Sequence, residues 1–367
     1  MKRILIGGCG GSASVGFTRS IKKSNDSIYT VGTDANIFSL PFGETDAKYL
    51  VPRADNPGYI ENLNEIIDNE KIEFLHTQPD PEVLAVSKNR HKIRAKTFLP
   101  EHKTIEICQD KYMSYSHWLK HGLEMPKTIL ITDEGALEKA FQEIKTPFWL
   151  RATSGAGGKG SIIVKDIRQA KVWIDYWNGW GTFIASELLP ERLLTWQSIW
   201  YNGELVCAQT RERLSWALAH STISGVSGMT GVGRTMKRAD IDKIAQDAIF
   251  AIDKKPHGIF GVDMKENKNG IPCPTEINIG RFFTTIQFFA ELGLNMPEIY
   301  LKIAYEDRMP KIENRINPLP DDYFWLRTAD SKPILMSKND LKKVCKNTVD
   351  IQALIKPDKT VKYDVRQ

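Results

Sequence analysis

Two carboxylates and a carboxamide open the chemical reading of this chain: Asp263, Glu276 and Asn278 lie within "GIFGVDMKENKNGIPCPTEINIGRF". The segment reads as two strands joined by a polar turn. Residues two apart on a strand share a face, so Glu276 and Asn278 point the same way, and a turn centred near Asn269 brings Asp263 opposite them. Hard oxygen ligands gathered in this way suit Mg²⁺, which keeps octahedral geometry and several waters. A second cluster, "FWLRATSGAGGKGSIIV", places Gly155, Gly157, Gly158 and Gly160 between two strands, directly after Arg151. Such a hairpin flap can fold over phosphates, offer them backbone N–H groups and reopen. It is not a P-loop, because Gly160 follows Lys159 where Ser or Thr is required and Thr153 stands where Gly is required. A third cluster, "GGCGGSA", contains Gly8, Gly10 and Ala13 in the G-x-G-x-x-A spacing of a dinucleotide fingerprint, with Asp34 at the end of the following strand. A tight strand-to-helix turn uses the same small residues, and this loop alone does not decide between the two.

The elements that must carry these groups fall into recognisable stretches. From residue 3 to about 100, "RILIGG", "VGFTRSIKK", "IYTVGTD", "YIENLNEIIDNEK" and "IEFLHTQPD" spell β-α-β-α-β, the start of a doubly wound sheet. Ile60, Leu63, Ile66 and Ile67 recur at helical spacing and are expected in the core. Between 105 and 180 a helix at "KYMSYSHWLKHG", a strand "KTILI", a helix "DEGALEKAFQEI" and the flap strands form a small α+β lobe. From 183 to 305 strands dominate, interrupted by one long helix near 238–254, and Tyr201, Asn202 and Gly203 mark a hairpin turn. A proline-marked stretch, "MPKIENRINPLP", precedes a tail unit.

Composition bounds the partners. The chain has 367 residues, 41% hydrophobic, with 50 basic and 45 acidic side chains spread without blocks. No nucleic-acid or membrane partner is expected. Cys9, Cys108, Cys207, Cys273 and Cys345 lie far apart without a C-x-x-C pair, which points to reduced thiols in the cytoplasm rather than to disulfides or zinc. The apolar N-terminal stretch ends at Gly7, too short for a signal peptide.

Taken in order, Lys111 in "QDKY", Arg151 before "SGAGGKGS", Glu187 in "SELLP", Asp263 in "GVD" and then "EINIGR" resemble the ATP-grasp superfamily. The likeness is to the carbamoyl phosphate synthetase large subunit and the carboxylate–amine ligases. It implies a mixed α/β and α+β fold: a Rossmann-like domain over 1–104, a small lobe with the flap over 105–181, a large lobe with the metal site over 182–309, and a tail unit over 310–367. It also implies that the first glycine loop holds no dinucleotide and lines the acceptor side of the cleft.

By the same resemblance Lys111, Arg151, Ser154, Gly155, Gly157, Gly158 and Gly160 hold the ATP phosphates. Glu187, Leu188 and Leu189 read the adenine, and Gln197 is a candidate ribose contact. Asp263, Glu276 and Asn278 bind Mg²⁺ or Mn²⁺, and Arg281 faces the transferred phosphate. In the glycine- and hydroxyl-rich stretch 218–236, Arg234 is expected to clamp a carboxylate or phosphate, His220 is a candidate base, and Arg211 or Arg213 is expected to reach the substrate. Trp325 and Phe324 are expected to be packing residues. The activity implied is ATP-dependent amide formation from a small carboxylate and an amine through an acyl phosphate, in a cytoplasmic enzyme compatible with a homodimer. The alternatives are phosphorylation of a carboxylate or carbamate with release of that product, an NAD(P)-dependent oxidoreductase built on the first loop, and an ATP sensor without turnover.

Overall fold

A computed structural model describes residues 1–155, 157–327 and 343–347. Its first unit is the expected parallel sheet. β1 (Lys2–Ile6), α1 (Ser12–Ile21), β2 (Ile28–Asp34), β3 (Ala47–Leu50), α2 (Tyr59–Asn69), β4 (Phe74–His76) and α3 (Asp80–Lys88) follow in order, and the strands lie as β3-β2-β1-β4. Leu63, Ile66 and Ile67 are buried as their spacing requires, while Ile60 is partly covered. The order reverses between β1 and β4, so the loops leaving those two strands face a common crevice, where open α/β sheets carry their sites.

The chain then runs through α4 (His102–Gln109) and α5 (Lys111–Lys120) into a second sheet. β5 (Thr128–Ile131), α6 (Glu134–Glu143), β6 (Phe148–Ala152), β7 (Ile162–Val164), α7 (Ile167–Tyr176) and β8 (Phe183–Glu187) make an antiparallel sheet ordered β5-β8-β6-β7. Its core of Ile131, Leu137, Phe148, Leu150, Ile174 and Phe183 is separate from the rest. Two boundaries differ from the sequence expectation. β8 pairs with β5 and β6, so the small sheet extends past residue 181. α5 packs instead on the large lobe, its buried Trp118 donating to the Ala248 carbonyl at 3.0 Å.

The large sheet is built from β9 (Leu193–Tyr201), β10 (Glu204–Trp216), β11 (Thr230–Met236), β12 (Gly258–Glu266), β13 (Pro272–Ile279) and β14 (Phe324–Leu326), ordered β13-β12-β9-β10-β11-β14. β9 and β10 meet across Asn202 and Gly203, whose φ values of 50° and 93° are those of a tight hairpin turn. α8 (Ala239–Phe250), the expected long helix, lays Ile241, Ala245, Ala248 and Ile249 on one face of the sheet. The opposite face is covered by α9 (Ile286–Glu291) and α10 (Met296–Glu306), where no helix was expected. α10 carries its own start signal: the Asn295 side chain accepts from the Glu298 N–H at 3.3 Å and Pro297 sits in the first turn. Central strands covered on both faces lose the polar–apolar alternation that would tell them from helix.

α1 packs against α9 and α10, and the Phe17 ring lies 4.0 Å from that of His76 and 6.3 Å from that of Tyr300. The parallel unit and the large lobe therefore share a core. Of the expected tail unit, residues 328–342 and 348–367 lie outside the described residues. Within its described part Trp325 stacks on Phe288 at 5.7 Å, whereas Phe324 is 53% exposed and is not a packing residue.

Candidate functional site

The β12–β13 hairpin realises the expected register. Asp263 pairs directly with Glu276 and Gly261 with Asn278, with an irregularity after Asp263. The Asn278 amide donates to Asp263 Oδ2 at 3.2 Å, and the Thr195 hydroxyl donates to Asp263 Oδ1 at 2.5 Å. Among the described residues no group of three or more His, Cys, Asp or Glu side chains is arranged for a metal. Here two carboxylates and a carboxamide supply only part of an octahedron. Such a set would fit Mg²⁺, which takes oxygen ligands and usually keeps several from outside the protein.

Cations surround this set. Lys111 Nζ lies 3.6 Å and Arg151 Nη1 3.8 Å from Glu276 Oε2, and Arg213 Nη2 lies 3.8 Å from Asp263 Oδ2. Burial alone would raise the Glu276 carboxyl, but Lys111, Arg151, Arg281 and Arg213 hold it below the usual range. Burial draws the Lys111 ammonium below its ordinary value, with Glu276 opposing. Arg151 donates to the Thr275 carbonyl at 3.0 Å, and its Nε is buried without a partner. A partly buried guanidinium with an unused donor is poised for an anionic acceptor.

The flap meets these cations. The Lys111 N–H donates to the Thr153 carbonyl at 2.7 Å, and Lys111 Nζ donates to the Gly155 carbonyl at 3.0 Å. Ser154, Gly155 and Gly157 are exposed, and Gly160 is buried below them. Across the cleft the 218–229 stretch interlocks with the flap. A Cβ on Gly158, whose φ is 71°, would stand 2.4 Å from the Val226 carbonyl oxygen, and Ser161 Oγ donates to Ser224 Oγ at 3.0 Å. Glu187 ends β8 exposed, followed by partly covered Leu188 and buried Leu189. That is the edge between the two lobes at which the adenine contacts are expected.

Other expected residues do not join this cluster. Arg234 pairs with Glu212 across β10 and β11, on the sheet face opposite Arg211 and Arg213, and bonds Glu212 and Asp322. Gln197 is fully buried, bonded to the Phe260 carbonyl and the Phe283 N–H, and so does not face a ribose. His220 is exposed on the loop. Of the paired arginines, Arg213 reaches Asp263, while Arg211 is fully buried among the hydroxyls of Thr195, Thr230 and Thr285. Arg211 Nη2 donates at 2.9 Å to the Thr195 hydroxyl that in turn donates to Asp263, so it acts on the carboxylate through Thr195.

Sequence reasoning missed Asp80, at the start of α3. Arg281 Nε donates to Asp80 Oδ1 at 2.5 Å and Arg281 Nη2 to Oδ2 at 3.2 Å, while Nη2 also donates to Asn278 Oδ1 at 2.5 Å. Burial weakens the Arg281 charge, but Asp80 and Glu276 hold its ionisation above the usual range. Asp80 lies 201 residues from Arg281 in the chain, and no local spacing announces the pair.

The first glycine loop is packed from within. Asp34 Oδ2 accepts from the Gly10 N–H at 3.3 Å, and a Cβ on Gly7 would lie 1.9 Å from Glu82 Oε2. Glu82 fills the space that a side chain at Gly7 would need. Its carboxyl is pushed up to about 8 by burial and, secondarily, by Asp34. The glycine is thus explained by close packing of β1 on the first turn of α3.

Comparison with known proteins accords with this architecture. The model of the PylC-like N-terminal domain matches residues 4–98. The chain is 26% identical over 266 residues to phosphoribosylaminoimidazole carboxylase of Ogataea methanolica, covering 66% of this chain and 46% of that protein. It is 21% identical over 177 residues to glutamate–LysW ligase ArgX of Sulfurisphaera tokodaii, covering 47% of this chain and 61% of that protein. The chain spans less than two thirds of the curated relatives it matches. N5-carboxyaminoimidazole synthetase from Staphylococcus aureus, solved with ADP, superposes with a TM-score of 0.67 at 14% identity, over 87% of this chain and 80% of that one. The fold of this chain is accordingly the ATP-grasp fold, a Rossmann-like unit followed by two grasping lobes. Its likeness is to carboxylate–amine ligases and their carboxylating relatives.

Proposed function

We propose that the chain is an ATP-dependent carboxylate–amine ligase. A carboxylate takes the γ-phosphoryl group of ATP to give an acyl phosphate and ADP. The amine then attacks the acyl carbon, forms the C–N bond and expels phosphate. The observation that carries this reading is the convergence of Lys111, Arg151 and Arg281 on Asp263, Glu276 and Asn278 beneath a glycine flap. The relatives and neighbours support it, since the ligases and synthetases among them act within this fold.

In this reading Lys111 and Arg151 hold the triphosphate from the small lobe. The flap covers it with backbone donors and excludes water. Asp263, Glu276 and Asn278 would hold Mg²⁺, which when bound would supply charge withdrawal from the phosphates. Arg281 presents a fixed positive charge where negative charge develops on the transferred group. The leucines after Glu187 border the adenine. Asp80, beside Arg281, opens on the acceptor side. Bicarbonate belongs among the candidate acids, because one solved neighbour holds it together with ADP and another holds an amine, 5-aminoimidazole ribonucleotide. A dimer is compatible with this reading, one of those neighbours being one.

The test is to incubate the protein with ATP and Mg²⁺ against a panel of amino acids, sugar acids and bicarbonate, each with amines, while measuring ADP and free phosphate. Release of both in equal amounts, only when acid and amine are present together, is the expected result. Phosphate retained on a product would indicate acid phosphorylation instead. No ADP release with any member of a broad panel would count against turnover.

A further inference from the structure

We infer that Asp80 is a positioning residue for Arg281, through which the Rossmann-like domain sets the geometry of the phosphoryl-transfer site. The inference rests on the reading of Arg281 as the group that meets the transferred phosphate.

Two side chains immediately beyond β4 grip the segment that follows β13. Gln78 accepts from the Phe282 N–H at 2.9 Å and donates to the Phe282 carbonyl at 3.2 Å, which fixes the backbone beside Arg281. Asp80 holds the side chain of Arg281 itself, taking Nε and Nη2 on its two oxygens at 2.5 and 3.2 Å. A guanidinium is planar, so pinning Nε and Nη2 fixes the plane and the direction of the remaining nitrogen, Nη1. Arg281 spends Nη2 also on Asn278 Oδ1, and among the described residues Nη1 carries no hydrogen bond. Its two N–H groups are therefore the ones left for a phosphate.

Charge supports the same role. Lys111, Arg151 and Arg213 crowd the same cleft, and Arg281 among them would otherwise be driven towards solvent. Asp80 holds it in place while remaining 27% exposed, at the cleft rather than in the core. The Asp80 carbonyl accepts from Gln109 at 2.9 Å, so the first turn of α3 is itself tied to α4.

Titration calorimetry with Mg²⁺–ADP and with Mg²⁺–β,γ-imido-ATP tests this, because the ratio of the two affinities isolates contacts to the γ-phosphate. Arg281→Ala should lower the preference for the imido nucleotide about ten- to hundredfold. Asp80→Asn should lower it about tenfold, as loss of an orienting partner does elsewhere, with ADP affinity within about threefold of the parent. The double variant should be no worse than Arg281→Ala, since Asp80 acts only through Arg281. Retained ADP binding shows that each variant is folded, and a purely structural role would lower both affinities together. An unchanged or raised ratio in Asp80→Asn, with the ratio lost in Arg281→Ala, overturns the inference and leaves the ligase reading standing. An unchanged ratio in Arg281→Ala overturns both.

Discussion

At the scale of the residue, the site is defined by who neutralises whom. Glu276 is the counter-charge of both Lys111 and Arg151, at 3.6 and 3.8 Å, before any ligand arrives. Glu276→Gln should therefore cut Mg²⁺-dependent ADP release about a hundredfold or more while leaving secondary structure intact by circular dichroism. Near-parental ADP release by this variant would place the metal elsewhere. Arg151 offers a bidentate fork that lysine cannot copy. Arg151→Ala should weaken ATP binding by about 1.5–3 kcal/mol, roughly ten- to hundredfold, and Arg151→Lys should retain part of it. Titration of both variants with ATP checks this, and parental affinity in Arg151→Ala would detach the flap from the triphosphate.

At the scale of the element, the end of β4 and the first turn of α3 carry a pH signature. The Glu82 carboxyl rises to about 8, and the His76 imidazole, fully buried, falls to about 3. A carboxyl raised in the folded state binds a proton that the unfolded chain has already released, so stability falls as pH rises through that interval. Buried neutral His76 acts in the opposite sense, stability rising with pH up to its ordinary value near 6.5. Between about pH 4.5 and 6.5 the two oppose each other, and from 6.5 to 8 the Glu82 contribution stands alone. Glu82→Gln should flatten the stability profile there, by at most about 1.4 kcal/mol per pH unit. Denaturant unfolding at several pH values compares the slopes, and identical slopes in parent and variant would mean that Glu82 is ionised in the fold. The flap gives a second element-scale expectation. Gly158→Ala places a Cβ against Val226 and strains a φ of 71°, so closure against the 218–229 loop should be impaired. Turnover should drop with the melting temperature held within a few degrees.

At the scale of the whole molecule, the Rossmann-like domain and the large lobe share cores, whereas the small lobe has its own. Nucleotide bound between the lobes would join bodies that otherwise meet at few points. ATP with Mg²⁺ should raise the melting temperature, by about 2.7 kcal/mol of stabilisation at a hundredfold excess over Kd, and NAD(P)H should not. Equal stabilisation by NAD(P)H would return the first glycine loop to consideration.

The sequence by itself determined the β12–β13 hairpin. Asp263, Glu276 and Asn278 lie on adjacent strands joined by a short turn, and period-two alternation decides which face they share. It likewise determined the flap, the long helix α8 and the parallel start, because turn chemistry and apolar periodicity are local. α9 and α10 were not read because their apolar residues serve a face of the large sheet that periodicity does not reveal. Arg234 read as a clamp from its neighbours in sequence, but the register with Glu212 turns it to the reverse face. Only the tertiary structure set Asp80 on Arg281, Glu82 against Gly7 and Arg211 behind Thr195. Each of these contacts joins separate elements, and the free energy that fixes them is the burial and pairing of charges whose partners lie far along the chain.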